Sequence, residues 1–532
     1  MSHAAELRNL LLRKDASSAA NATIFSSLGL NAVNLEQQAK SLVPYNAPFL
    51  NSTPRTVSDV GGLTVQWKAV LSASPGFVTL PEAERNQSAD LLEKDYSAPF
   101  KSMGVDVDVS MFAQETGRGF QDNLGFAQFS ALQMFLRAQD QQLLCDGNSG
   151  TYALTGGNGY ALSTTNTPVV SASSGAGTIT QGHVTVFAVA LTPFGLRAQN
   201  DPFVNPNIAL ASTAGQGLTP LLSATSMTGD TINASGGTGI ISSVSNTSTA
   251  ISSKSIVVTI PYQLGAVAYA IYISLDSSPT KSNAYFQGIY NGNVITIKSL
   301  AAGVTGGDSQ AATYTGLTTD YSYDANAVDS YFAWAVNWAT PPTGYSNFAS
   351  YCVDQGGKTL TAPGDGSITE FTTIASYLYN NYKSAPDRIL VASQTVSGTS
   401  LKQEIFNAIM SGTSGAGSGA QRLIFENEEG SIVAGTKQVA YEWPYSYDGI
   451  SKVITIEVMP WLQPGMIVFE TTQNPYPQAA GRIPAAFEVH SLLDTFSIVW
   501  PIRKLQRELG VYGFLATKNY LPHVAAVMQN VG

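Results

Sequence analysis

The sequence predicts an α+β protein: a mixed helix-and-sheet framework interrupted by an inserted all-β domain. Three observations predict it. The stretch Phe120–Leu144, FQDNLGFAQFSALQMFLRAQDQQLL, has no proline, and its only glycine is Gly125. The segments LTVQWKAVL (63–71) and MGVDVDVSM (103–111) alternate between apolar and polar residues. From Thr151 to Thr319 the charge almost vanishes, leaving only Arg197, Asp201, Asp230, Lys254, Asp276, Lys281, Lys298 and Asp308.

The first stretch predicts an unbroken helix of ~25 residues, about 37 Å long. At 100° per residue, Phe120, Leu124, Ala127, Ala131, Met134, Phe135 and Ala138 share one side. Phe129, Leu132, Leu136 and Leu143 flank it, and a narrow polar stripe carries Asp122, Asn123, Ser130, Gln133, Arg137, Asp140 and Gln141. Apolar cover on two flanks predicts a central helix with elements packed on both sides. The polar stripe is expected to face a surface or a partner.

Residues 1–58 read as an arm. A short amphipathic turn (Leu7, Leu10, Leu11) leads into Ala/Ser/Asn-rich chain, and Pro44, Pro48 and Pro54 disfavour helix. In 59–112 the two alternating strands flank the most charged patch of the chain: Glu82, Glu84, Arg85, Asp90, Glu93, Lys94 and Asp95. Alternation puts Leu63, Val65, Trp67, Ala69 and Leu71 on one face, and Met103, Val105, Val107, Val109 and Met111 on another. A polar connection this long points to function, and the segment reads as a protruding hairpin.

The charge-poor region holds strand-like runs at 183–195, 255–262, 266–275 and 293–300 with turn residues between them. No helical period accompanies them. This predicts an inserted sandwich of immunoglobulin or fibronectin type over 163–318. The mixed pattern returns in 319–475. Ser367 and Glu370 predict a capping box ahead of Phe371, Ile374, Ala375, Leu378 and Tyr382. RILVAS (388–393) reads as a strand, Ser400 and Gln403 start a second helix, and KVITIEVM (452–459) with MIVFE (466–470) read as paired strands. FSIVW (496–500) and LGVYGFLATKNYL (509–521) close the chain as strands within 476–532.

Composition narrows the function classes. The chain has 532 residues, is 44% hydrophobic and only 12% charged. Soluble domains usually carry about 25% charged residues, so much of this surface is expected to meet other subunits. A net charge of −10 argues against a tight nucleic-acid binder, which needs a basic stripe. It does not argue against a wall around nucleic acid. Cys145 and Cys352 form no CxxC pair and are expected as free thiols. The N-terminus lacks the apolar run of a signal peptide, so a chain without a removed leader is expected. No apolar stretch is long enough to span a membrane.

No chemistry stands out. His3, His183, His490 and His523 are scattered, and no metal-ligand spacing or nucleophile elbow occurs. His490 and Asp494 lie at a four-residue spacing in a β-rich context, which predicts a structural histidine. GGKT (356–359) follows Cys352 where a phosphate loop needs glycine. Glu426, Glu428 and Glu429 read as a solvated acidic loop. No catalytic, cofactor-binding or metal-binding residue is expected, and an enzyme is the weakest reading.

The order of elements resembles that of tailed-bacteriophage major capsid proteins, the Hong Kong phage capsid fold, shared with encapsulins and the herpesvirus capsid floor. The stretches that carry the resemblance are LTVQWKAVL…MGVDVDVSM, FQDNLGFAQFSALQMFLRAQDQQLL, the DRILVAS–LKQEIF pair and ELGVYGFLATKNYLPHVAAVM. They cover most of the chain outside 163–318, where HVTVFAVALTPFGLRA and AVAYAIYISL look like the immunoglobulin-like insertions common in that family. The resemblance implies an N-arm (1–58), an E-loop hairpin (59–112), a P-domain (113–162) with its spine helix at 120–144, an A-domain (319–475) and a C-terminal return to the P-domain (476–532).

The same resemblance implies hexamers and pentamers closing into an icosahedral shell around double-stranded DNA, without sequence-specific binding, in a virion assembled in the host cytoplasm. A separate scaffold, a portal and decoration or cement proteins are the implied partners. The type member's Lys–Asn cross-link is not carried over, because no local motif singles out Lys68, Lys94 or Lys101. The residues expected at subunit contacts are Leu63, Val65, Trp67, Val105, Val107, Val109, Glu82, Arg85 and Lys94. Two alternatives remain open from sequence: a β-rich virion adhesin or fibre module, and an encapsulin-like compartment.

Overall fold

The structure is a computed structural model. It describes residues 46–57, 61–74, 78–79, 82, 84–85, 88, 90–118, 122–150, 159–162, 166–173, 175–179, 183–201, 218–227, 229–243, 255–301, 315–363, 367–411, 440–443, 452–476, 485–502 and 504–532. Residues 1–45 of the expected arm and the Glu426–Glu429 cluster lie outside the described residues.

In chain order, a short helix α1 (Pro48–Ser52) leads into β1 (Arg55–Val57). Two strands, β2 (Thr64–Ser74) and β3 (Asp90–Pro99), pair antiparallel, and β4 (Lys101–Ser110) follows at once. Helices α2 (Met111–Thr116) and α3 (Asn123–Gln141) come next. Within 163–318 lie β5 (Val169–Ser173), β6 (Thr185–Leu191), α4 (Pro193–Asn200), β7 (Leu221–Thr225), β8 (Thr231–Ser235), β9 (Ser255–Thr259), β10 (Ala268–Ser274), β11 (Tyr285–Asn291) and β12 (Val294–Ile297). Then come α5 (Tyr331–Trp338), β13 (Tyr351–Asp354), α6 (Thr369–Tyr382), β14 (Arg388–Val391), α7 (Leu401–Ser411), β15 (Ala440–Trp443), β16 (Lys452–Val458) and β17 (Ile467–Glu470). The chain closes with β18 (Phe487–Val499), β19 (Gln506–Asn519) and β20 (Ala526–Gln529). The α+β class is as the sequence predicts.

Four strands in the order β1-β18-β19-β4 make the sheet that carries α3. Ala131 and Phe135 of the helix pack with Val511 of β19, and Met103, Val105 and Val107 of β4 close over them. The helix starts where Asp122 accepts a hydrogen bond from Gly125 N–H (3.1 Å), a side-chain cap that satisfies an orphan donor. It is shorter than the sequence predicts. After Gln141 the backbone widens into a π-helical turn, Gln142–Asp146. There Leu143, Leu144, Cys145 and Asp146 are all buried, so no amphipathic face remains to continue. Gly147 ends the turn, and a Cβ there would sit 1.9 Å from the Val328 carbonyl oxygen.

The pairing of the alternating strands is a correction. β2 pairs with β3, not with residues 103–111, and β4 pairs with β19 from Lys101↔Leu515 to Ser110↔Gln506. The charges of β3 explain the difference. Glu93 and Asp95 point outward while Tyr96 and Ala98 are buried, so a half-covered strand looks like a polar loop. Lys68 meets Glu93 (3.9 Å) and Asp95 (3.3 Å) across the pair, all exposed and worth little.

A six-stranded mixed sheet, β13-β20-β17-β14-β16-β15, forms the second body. The expected direct pairing of 452–459 with 466–470 is replaced: β14 runs between them, parallel to β16 and antiparallel to β17. Two flanking partners suit the continuous apolar run of Ile389, Leu390 and Val391, all buried. On α6, Phe371, Ile374, Ala375, Leu378 and Tyr382 face the core as the period predicts. Ile368 stands at the helix N-cap without a side-chain cap, and Glu370 accepts from Thr361 N–H at 3.0 and 3.2 Å. Gln403 N–H does reach Ser400 Oγ (3.4 Å) at the start of α7.

The 163–318 segment is β-rich as expected and also carries α4, capped by Thr192 Oγ1 on Gly195 N–H (3.0 Å) with Pro193 at its first position. Its strands form two three-stranded antiparallel sheets, β11-β10-β6 and β12-β9-β5, and a β7–β8 hairpin. Both β6 and β10 are buried along their whole length. Asn293 Nδ2 donates to Asp354 (2.7 Å) and Gln529 Nε2 to the Ala266 carbonyl (3.0 Å), tying this region to the six-stranded sheet.

Candidate assembly surface

The β2–β3 hairpin is built on an aromatic root. Trp67 and Tyr96 stand opposite each other in register and stack, with ring centroids 5.3 Å apart and 11° between planes. The pair rests on Trp334 of α5 at 5.9 and 6.3 Å, and Tyr96 also meets Trp338 at 5.8 Å. Tyr520 closes the edge of Trp67, and the Lys518 ammonium lies over both their rings, at 4.3 Å for Tyr520 and 5.8 Å for Trp67. Lys518 also meets the buried Glu488 carboxylate (3.4 Å). Burial pushes the Tyr96 hydroxyl well above its ordinary range, and the nearby Tyr345 adds to the rise.

Outward from the root, cover thins. Val70 is 58% exposed and Leu91 62%. At the tip Val78, Glu82 and Arg85 are exposed. The tip therefore offers an apolar residue beside charges of both signs, a composition suited to contact with another chain.

A second apolar surface lies on the opposite flank of α3. Phe129 is 58% exposed, Phe126 and Leu132 each 37%. Together with Thr495, Phe496 and Val511, Phe129 and Leu132 line an open cleft of about 380 Å³. Trp500, Ile502 and Leu505 are also exposed, where β18 turns into β19. Exposed apolar side chains around an open cleft of this kind suit an interaction site.

The residues expected at subunit contacts separate. Leu63, Glu82 and Arg85 are exposed. Trp67 is buried in its own subunit, and Val65 packs against the same core. Val105, Val107 and Val109 lie on β4, away from the hairpin, and Val105 and Val107 are covered by the chain's own helix. Lys94 lies 4.9 Å over the Tyr345 ring, whose hydroxyl donates to the Glu93 carbonyl (2.8 Å). Sequence reasoning missed the exposed face of α3, because its phenylalanines count as core by period alone.

The helix's polar stripe is also corrected. Arg137, Asp140 and Gln141 are buried inside the subunit rather than facing a surface. The arm covers them: Leu50 N–H donates to Asp140 Oδ1 (2.6 Å) and Arg55 donates to Gln139 (3.1 Å). Burial raises the Asp140 carboxyl to about 6, against the lowering effect of the Leu50 and Phe49 N–H groups and of Arg197 and Arg388. The folded state thus holds this proton more tightly than the unfolded chain. Stability contributed by Asp140 should rise as pH falls through about 6 toward the ordinary carboxylate range. Asp140→Asn is expected to flatten that rise, read as thermal midpoints at pH 7.5 and pH 5. An unchanged slope would remove Asp140 as its source.

Asp494 pairs with Arg55 (3.2 Å), while His490 sits on β18 and meets Glu488 (2.8 Å), a structural histidine as expected. Cys145 and Cys352 are free thiols. Among the described residues no cluster of His, Cys, Asp or Glu could hold a metal ion, and no helix is long and apolar enough to cross a membrane.

No protein-family model matches this chain, and no curated protein matches it. Among solved structures, it is similar to the capsid of Myoviridae phage XM1, with 8% identity over 95% of this chain and 98% of that one, at a TM-score of 0.37. It is similar to the capsid asymmetric unit of cyanophage A-1(L), with 9% identity over 94% and 98% and a TM-score of 0.41. The capsid of the native GTA particle gives 7% identity over 97% and 100%, with a TM-score of 0.36.

Proposed function

We propose that the chain is the major capsid protein of a tailed bacteriophage, a structural subunit rather than a catalyst. It assembles through hexamers and pentamers into an icosahedral head around double-stranded DNA. A separate scaffold, a portal and decoration or cement proteins are its partners, and assembly takes place in the host cytoplasm before the head becomes part of the virion.

One observation carries this reading. A projecting hairpin and an apolar cleft occupy different parts of the same subunit, with complementary character. A contact between unlike patches is heterologous, and such contacts close into rings when the rotation allows. The hairpin has Val70 and Leu91 uncovered; the cleft has Phe129 and Leu132 uncovered. A hairpin arm is not stable alone in water, so cover from a neighbour stabilises both sides. The four are each about half exposed, so at 1.5–3 kcal/mol per fully buried side chain they contribute roughly 3–6 kcal/mol per contact before ordering costs. An acidic wall also avoids trapping packaged DNA.

Phe129→Asp tests the reading. The side chain is largely exposed, so the subunit should fold as before. Light scattering is expected to show large particles for the parent and only small species for the variant. Equal assembly by the variant would remove the cleft from the interface. A parent that stays monomeric with and without crowding agents would sink the capsid reading itself.

A further inference from the structure

We propose that residues 46–57 form a strap across two sheets, tight while Asp140 and Glu470 carry protons and looser as they ionise. Phe49 anchors it: the side chain is fully buried, its ring meeting Tyr331 at 6.5 Å and Phe487 at 6.2 Å. Trp461 Nε1 donates to the Asn46 carbonyl (3.0 Å), Val489 N–H donates to the Pro54 carbonyl (3.0 Å), and β1 runs parallel to β18. Leu50 N–H donates to Asp140 Oδ1 (2.6 Å) on α3. On the other side, Arg388 Nη1 donates to Ser52 Oγ (2.6 Å) and lies 3.4 Å from Glu470 Oε2 of the six-stranded sheet. One short segment thus bears on one buried carboxylate directly and on a second through a shared arginine.

The charges around the two carboxylates do not offset their burial. Asp140 faces Arg197 of α4 and Arg388 of β14, with the Cys145 thiol of the π turn close by. Arg137 of the same helix is buried too, and Arg55 of the strap donates to the adjacent Gln139. Burial lifts the Asp140 carboxyl to about 6, while the Leu50 and Phe49 N–H groups and the two arginines pull it down by less. Around Glu470 stand Arg388, Asp387, Glu457 of β16 and the Tyr331 hydroxyl of α5. Burial lifts Glu470 to about 7 against Arg388, and Asp387 and Glu457 add to the rise. Arg388 is divided, because its Nη2 and Nε also hold Glu457 at 2.6 and 3.1 Å. An ionised Glu470 therefore competes with Ser52 for Nη1. Lifting the strap readmits water to Asp140 and lowers the cost of its charge. Both groups bind their protons more tightly with the strap down. Its hold is full below the ordinary carboxylate range and fades as pH rises through about 6 and 7. The device belongs to the folded subunit and does not rest on the capsid reading.

Hydrogen exchange on the unassembled full chain, read as protection factors at pH 5 and pH 8, tests the strap. The Thr53 amide, held by the Phe49 carbonyl (3.0 Å), and the Val489 amide, held by Pro54, report on its opening. Their protection is expected to fall roughly tenfold or more from pH 5 to pH 8, tenfold being the linkage from Asp140 alone. Amides in the middle of α6 should keep theirs, which separates local opening from unfolding of the subunit. Asp140→Asn should remove roughly tenfold of the fall. The double change Asp140→Asn with Glu470→Gln, neutral at both sites and still able to accept hydrogen bonds, should keep the strap closed at pH 8. Equal protection at the two pH values in the parent, a fall that persists in the double variant, or an equal fall in α6 would each overturn the inference. If the double variant fails to fold, Asp140→Asn decides it alone, and an undiminished fall there overturns the inference.

Discussion

Arg197→Leu is expected to destabilise the subunit by about 3–5 kcal/mol, the usual cost of leaving a buried charge without its partner. Arg197 Nε lies 3.0 Å from Asp146 Oδ2, with both side chains almost fully buried. A second guanidinium nitrogen donates to the Trp461 carbonyl and lies 3.8 Å from Cys145 Sγ. Three parts of the chain meet there: α4, the π turn after α3, and the turn that precedes β17. Burial raises the Asp146 carboxyl and Arg197 holds it down. Without the arginine, Asp146 should take up a proton at higher pH, so the loss is expected to shrink between pH 8 and pH 5. Arg197→Lys should also lose stability, because one ammonium cannot serve the carboxylate and the carbonyl in a planar fork. Changing Asp146 to leucine together with Arg197 should cost less than the single change. Denaturant midpoints measure all of these. A single variant within 1 kcal/mol of the parent, on the order of ordinary surface changes, would contradict the account.

Replacing 75–89 with an Asn-Gly turn is expected to abolish assembly and leave the subunit folded. Asn-Gly closes a two-residue hairpin with the required twist. The replacement keeps β2, β3 and the aromatic root, and removes Val78, Glu82 and Arg85, all exposed. Circular dichroism and the thermal midpoint should stay close to the parent, while particles disappear from sedimentation profiles. Normal particles from this variant would show that the tip makes no essential contact.

Long-range cover, rather than local pattern, separates what the sequence revealed from what it concealed. The 3.6-residue period identifies α3 and α6, and alternation identifies β2 and β4. Pairing was less legible. β3 carries Asp90, Glu93, Lys94 and Asp95, so its buried Tyr96 and Ala98 are masked by charge. Trp67 shows an inward face by alternation, but nothing local says that its own α5 covers it. Asp140 looks solvent-facing until Leu50, 90 residues earlier in the chain, donates to it. Phe129 and Leu132 show the converse: apolar by period, yet uncovered in the single subunit. Within the capsid reading those two failures have different meanings. The first is cover supplied by the chain itself, the second is cover left for a neighbour.

Electron microscopy of negatively stained particles from the purified full chain tests the central claim most directly. The account predicts closed shells, or sheets of six-membered rings, that vanish in Phe129→Asp. Isolated subunits in every field, at high concentration and with added crowding agents, would contradict it.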